Sequence, residues 1–206
     1  MNLIRLKYTK WFVISRDGLL KNNPIFVAVL GICSALAVTN RVENAIAMGL
    51  GVTFVVMASS MSASLIRKFI PAKVRMVTYM VLISTFVIAV DLFLQAFLPS
   101  ISKALGAYVG LIITNCIVMG RAEAFAVKNP VRFTLIDALT NGLGYTYVLI
   151  AVAAVREVLA FGTLLGMRVM PGGWVNWVVM AMAPGGFFVL GIYIWLMRVV
   201  TNTYEE

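Results

Sequence analysis

Six apolar runs, near residues 24–39, 43–66, 75–98, 103–119, 133–160 and 174–200, take up almost the whole chain, with charges and prolines concentrated between them. A hydrocarbon layer about 30 Å thick is crossed by about 20 helical residues, and backbone polar groups in lipid must be satisfied within the chain itself. Runs of this length in series predict an all-α polytopic membrane protein with six transmembrane helices. The composition agrees: the 206 residues are 62% hydrophobic and only 12% charged, too few polar side chains to cover a soluble globule. The fifth run is longer than one crossing and is expected to continue past the interface, whereas the first and fourth are short.

The net charge of +9 raises the possibility of a nucleic-acid partner, but the basic residues fall between the apolar runs and form no cluster interleaved with aromatics on a polar scaffold. They read instead as topology signals. Placing both termini in the cytoplasm puts Arg67, Lys68, Lys73, Arg75, Arg121, Lys128, Arg132, Arg198 and the five N-terminal cations on that side. Only Arg41, Lys103, Arg156 and Arg168 are left opposite. Residues 1–23 mix Arg5, Lys7, Lys10, Arg16 and Lys21 with Trp11, Phe12 and Ile14. They lack a continuous apolar core ahead of a small-residue cleavage site, so a basic interfacial segment is expected rather than a cleaved signal peptide. The division that follows is an interfacial segment over 1–23, a transmembrane domain over 24–200 and a cytoplasmic tail over 201–206.

The transmembrane domain reads as two halves, 24–98 and 103–200. In each, a cysteine in a short apolar run precedes an Arg-x-Glu triplet, and two longer spans follow: Cys33 with Arg41-Val42-Glu43, and Cys116 with Arg121-Ala122-Glu123. Three spans per half is an odd number, so the second half enters the membrane from the opposite side. This inverted repeat brings equivalent positions together near mid-bilayer. With Gly31 and Gly120 at their edges and Asn40, Asn44 and Asn115 close by, the short runs are expected to be broken or half-length helices.

Chemistry has few places to reside. The chain has no histidine, which removes imidazole ligation of haem and the usual zinc sites. Cys33 and Cys116 are 83 positions apart without a C-x-x-C pair, so their residues alone leave open simple packing, a disulfide and metal ligation. Two thiolates do not complete an iron–sulfur site, which takes four, so ligation would require a partner chain. Acids within or near apolar runs are costly and hence informative. Asp91 and Asp137 are candidates for an ion pathway, with interfacial anchoring as the alternative. Glu43, Glu123 and Glu157 each lie beside Arg41, Arg121 or Arg156 and are expected to pair with them. Asn141-Gly142-Leu143-Gly144-Tyr145 lacks the strand and third glycine of a dinucleotide fingerprint and reads as close helix packing. Pro184-Gly185-Gly186 is expected to kink the last span.

Two segments carry a family resemblance. Leu30-Gly31-Ile32-Cys33-Ser34-Ala35-Leu36-Ala37-Val38-Thr39 and Leu111 through Ala126, which contains Thr114-Asn115-Cys116 and Gly120-Arg121-Ala122-Glu123, resemble the D subunits of sodium-translocating NADH:quinone oxidoreductases. Asn141 to Tyr145 is similar to that family as well, and the likeness runs from about Asn22 to about Arg198. The E subunit of the Rnf ferredoxin:NAD oxidoreductase complex is homologous. Ser34 after Cys33, where Rnf relatives tend to carry proline, favours the quinone reductase.

The resemblance implies a bacterial inner-membrane subunit of a six-subunit complex whose other members carry flavins and the NADH site. Cys33 and Cys116 would hold half of a [2Fe-2S] cluster shared with a homologous six-helix E subunit of opposite topology, with Thr114 and Asn115 as hydrogen-bonding neighbours. The cluster would pass electrons between flavin subunits on the way to ubiquinone while sodium moves outward. No Ser-Gly-Ala-Thr-like run of the kind that carries covalent flavin occurs, so no flavin is expected on this chain, and no nucleic-acid partner. An inverted-repeat, ion-coupled secondary transporter is the rival from another class.

Overall fold

A computed structural model describes residues 25, 30–67, 69–97, 99–165, 167–168 and 177–201. The interfacial segment expected over 1–23 and nearly all of the tail expected over 201–206 lie outside them. The described chain is almost entirely helical, and four stretches are long and apolar enough to cross a membrane: Val42–Ile66, Arg75–Phe97, Tyr108–Ala126 and Val131–Phe161, with a shorter apolar helix over Ala183–Val199.

The first short run contributes α1 (Ile32–Val38), which starts at Gly31 in the left-handed region at φ 81°. A glycine is required there, because an added Cβ would also lie 2.6 Å from Ile117 Cδ1. After a break at residues 39–41 the chain enters α2 (Val42–Ile66), then a 3₁₀ turn (Ala72–Val74) behind Pro71 and α3 (Arg75–Phe97). Helix α4 (Pro99–Ile113) takes its proline at the first helical position, where no amide hydrogen is needed. It breaks at Thr114–Asn115 and resumes as α5 (Cys116–Arg121), followed by a π-helical turn (Ala122–Ala126).

Pro130 caps α6 (Val131–Phe161), whose 31 residues span about 46 Å at 1.5 Å per residue, more than one bilayer core, as the length of its apolar run predicts. It ends on Gly162 at φ 67°, whose N–H bonds Val158 O. A two-stranded hairpin (β1 Thr163–Leu164, β2 Met167–Arg168) follows, then α7 (Val178–Ala181) and α8 (Ala183–Thr201). The last run is therefore interrupted at Met182, which is extended, rather than kinked at Pro184. Gly185 is the residue that lets α8 fold back on α7, since a Cβ there would lie 2.5 Å from Met180 Cα.

The centre of the fold is the antiparallel pair α2 and α6. Its direction is fixed by four contacts in falling register: Val42 with Glu157, Gly49 with Thr146, Thr53 with Gly142, and Ser64 with Asn129. The middle two are reciprocal. A Cβ on Gly49 would meet Thr146 Cγ2 at 2.6 Å, and one on Gly142 would meet Thr53 Cγ2 at 2.7 Å. Thr53 and Thr146 each bond the carbonyl four residues back, which is that same Gly49 or Gly142, and their hydroxyls meet at 3.3 Å. Small residues let two helices approach closely where lipid offers no hydrophobic drive to association. This assigns the packing role expected of the glycines around Asn141 to Gly142 in particular.

Candidate functional site

The two cysteines sit at the starts of the two short helices. Cys33 is the second residue of α1, and Cys116 is the first of α5, just after the capping residue Asn115, whose side chain accepts from Ile117 N at 3.1 Å. The breaks are brought against each other: Gly31 N donates to Cys116 Sγ at 2.9 Å. Two peptide links separate Gly31 from Cys33, so the Cys33 Cα is within about 12 Å of the other sulfur. Both thiols are free and exposed, and no disulfide joins them.

One hydroxyl ties this junction to the core. Ser34 Oγ donates to Gly31 O at 3.0 Å, lies 2.6 Å from Tyr145 Oη, and accepts from Asn115 Nδ2 at 3.2 Å. Ser34, Asn115 and Tyr145 are all buried. Asn115 therefore satisfies the N-terminus of α5 with its oxygen and binds α1 with its nitrogen. Thr114 is exposed at the break. Gly120, expected at a break edge, lies inside α5 and makes room for Leu30 Cδ1, 3.2 Å from where its Cβ would be.

The acids are arranged differently from their sequence neighbourhoods. Residues one or two apart on a helix do not face each other, and none of the expected adjacent pairs forms among the described residues. Arg121 instead binds Asp137 through both Nε, at 3.0 Å to Oδ2, and Nη2 to Oδ1. Asn141 Nδ2 adds a bond to Asp137 Oδ1 at 3.0 Å. Glu123 pairs with Arg75 at 3.0 Å. Glu157 accepts from Val42 N at 2.8 Å, supplying one of the acceptors that the first turn of α2 lacks. Asp91, on α3, accepts from Gln95 one helical turn on at 2.8 Å. Glu43 is exposed and lines an apolar groove of about 710 Å³ between α2 and α3, with Leu50, Phe54 and Phe93.

In the sequence Arg156 reads as a topology charge and as a neighbour for Glu157, yet it is wholly buried and pairs with neither that glutamate nor any other carboxylate among the described residues. Its guanidinium donates to Leu36 O at 3.0 Å and Thr39 Oγ1 at 2.5 Å on the first short helix, and to Met180 O, Ala181 O and Met182 O at 3.1–3.2 Å across the α7–α8 break. A charged residue deep in an apolar run was the available sign of such a role. Its partners could not be read from the sequence because they lie 24 or more positions away.

Fold and site together define a multi-pass membrane protein in which two interrupted helices, in contact at Gly31 and Cys116, each carry an exposed thiol. The profile of the family described as "Rnf-Nqr subunit, membrane protein" matches residues 11–194. The D subunit of the Na(+)-translocating NADH-quinone reductase of Chlamydia felis is 48% identical over 205 residues, covering 95% of each chain, and that of Photobacterium profundum is 50% identical over 192 residues, covering 91% of each. The chain belongs to the Rnf-Nqr family of membrane subunits.

Proposed function

We propose that this chain acts as the D-type membrane subunit of a redox-driven sodium pump that oxidises NADH and reduces quinone, and that Cys33 and Cys116 provide half the ligands of an intramembrane [2Fe-2S] cluster. The carrying observation is the bond from Gly31 N to Cys116 Sγ, which sets one thiol beside the helix that bears the other. The names of the relatives support the class of pump.

The donor set fits half a site. Both sulfurs are exposed and outside any disulfide, and no group of three or more metal-binding side chains occurs among the described residues. A four-thiolate centre therefore needs two ligands from elsewhere, in this reading a homologous six-helix E subunit of opposite topology. When bound, such a centre accepts and releases single electrons, here between the flavin-bearing subunits of the complex. This chain's part is positional. Gly31 N–H supplies a hydrogen bond to a ligand sulfur, which is one of the levers on a cluster's potential. Ser34, Tyr145 and Asn115 hold the two half-helices in mutual register.

The inverted six-helix repeat belongs to the same proposal. It is supported by the Gly49–Thr53 and Gly142–Thr146 pairs, which repeat at an interval of 93 residues, and by Ser64 and Glu157 at the same interval, each holding the backbone at opposite ends of the α2–α6 pair. The reading further places the protein in a bacterial inner membrane with both termini cytoplasmic. Asp137 and Asp91 are its candidates for the sodium path. Passage at Asp137 would require a cation to compete with Arg121 for the carboxylate. Unchanged sodium dependence of turnover in both Asp137→Asn and Asp91→Asn complexes removes that role.

The ligand assignment is tested by replacing Cys33 or Cys116 with alanine in the assembled complex. The expected result is loss of the cluster's paramagnetic signal and of two iron atoms' worth of iron and sulfide, with flavin content retained. Full iron content in either variant overturns it.

A further inference from the structure

Each thiol-bearing half-helix is held at its far end by an arginine from the other half of the chain. Helix α1 ends in carbonyls with no intrahelical partner, and Arg156 of α6 takes Leu36 O and Thr39 Oγ1 there. Helix α5 and its π turn run out at Ala126. Just beyond, Arg67 at the end of α2 donates from Nη1 to Val127 O at 3.2 Å and Asn129 O at 3.0 Å, with Ser64 Oγ adding a third bond to Asn129 O at 3.0 Å. Among the described residues neither arginine has a carboxylate within ion-pair distance, so their charge is matched by backbone carbonyls and hydroxyls. For wholly buried Arg156 such a placement is costly, whereas Arg67 is half-buried at the end of α2. The Ser34, Tyr145 and Asn115 contacts hold the starts of the two short helices, and the arginines hold their far ends.

We infer that Arg156 and Arg67 are reciprocal positioning residues: the first sets the placement of Cys33 and the second that of Cys116. The geometry is independent of any bound group, although its purpose rests on the cluster reading above. The two clamps are unequal. Arg156 bridges five acceptors on two separate elements, α1 and the α7–α8 break, and Gly186 leaves the space for it, since a Cβ there would lie 3.2 Å from its Cζ. Arg67 serves two carbonyls on one strand of backbone, a task within reach of a lysine's three donors.

The test follows alkylation of each cysteine by N-ethylmaleimide in the intact purified complex, read by peptide mass, together with iron content and the cluster's spectrum. Arg156→Met is expected to raise the Cys33 rate relative to Cys116 by about tenfold or more, the population change that loss of one charged hydrogen bond permits. Arg67→Met is expected to shift the ratio the other way. Arg67→Lys should restore the native ratio and spectrum, and Arg156→Lys should not. Should Arg156→Met fail to assemble, Thr39→Val removes one acceptor of the same clamp and should move the Cys33 rate in the same direction by less. Equal changes at both thiols in every variant, or none, overturn the inference. If both thiols of the unsubstituted complex react at once, it is the cluster reading that fails, and the ratio still reports on the clamps.

Discussion

Helices α3 and α6 both cross the membrane, yet they are built on opposite plans. Only 17% of the α3 span is buried, and the side chains it shows to lipid include Val77, Val81, Ile88, Leu92 and Phe93. Of the α6 span 56% is buried, and what it buries includes Thr134, Asp137, Asn141, Thr146, Arg156 and Glu157. The arrangement inverts the soluble rule because the solvent is hydrocarbon. Apolar side chains lose nothing by facing it, while polar ones must find partners inside. The polar residues of a membrane span therefore point to where the protein is, and the apolar ones to where it is not.

The sharpest way to break this contrast is to remove a buried charge from α6. Asp137→Ala leaves Arg121 without its carboxylate and is expected to cost about 3 kcal/mol or more. It would appear as a large fall in the melting temperature of the solubilised complex, whereas Asp91→Ala on α3 should leave that temperature nearly unchanged. Equal losses would remove the distinction between the two helices.

A smaller effect tests the α2–α6 crossing. Gly49→Ala and Gly142→Ala force a methyl group into Thr146 and Thr53 respectively and are expected to cost about 1–3 kcal/mol each. Pairing Gly49→Ala with Thr146→Ala should recover much of that. Gly191→Ala, which has open space around its Cβ position, should be silent by the same thermal measurement. The smallest change sharpens the lipid side: Phe93→Leu should stay within about 0.5 kcal/mol, and a larger loss would mean that α3 has a partner packed against it.

The legible part of the site was the pair of interrupted helices. Gly31 beside Cys33, and Asn115 before Cys116, are breakers placed where an unbroken span would have no use for them. Their meeting was a consequence expected from the repeat. What stayed hidden was how the polar groups pair. Arg121 stands next to Glu123 in the sequence, but helix geometry points them apart, and its partner Asp137 is 16 positions away on another helix. Ser34 was visible only as a family-specific residue, and Tyr145 only as the end of a glycine-rich run. Neither gave a sign of the hydroxyl contact between them across 111 residues.

The sequence by itself determined the solvent: apolar runs of spanning length, with cations between them, commit the chain to a bilayer and to helices, because lipid satisfies no backbone group. It also marked the breaks at Gly31 and Asn115, since glycine and asparagine act on their own backbone, but not the one at Met182, where the break falls two residues before the proline. Which buried charge meets which acceptor was decided only by tertiary structure. A hydrogen bond depends on distance and direction in space, and side chains on helices that pack together can be a hundred residues apart along the chain.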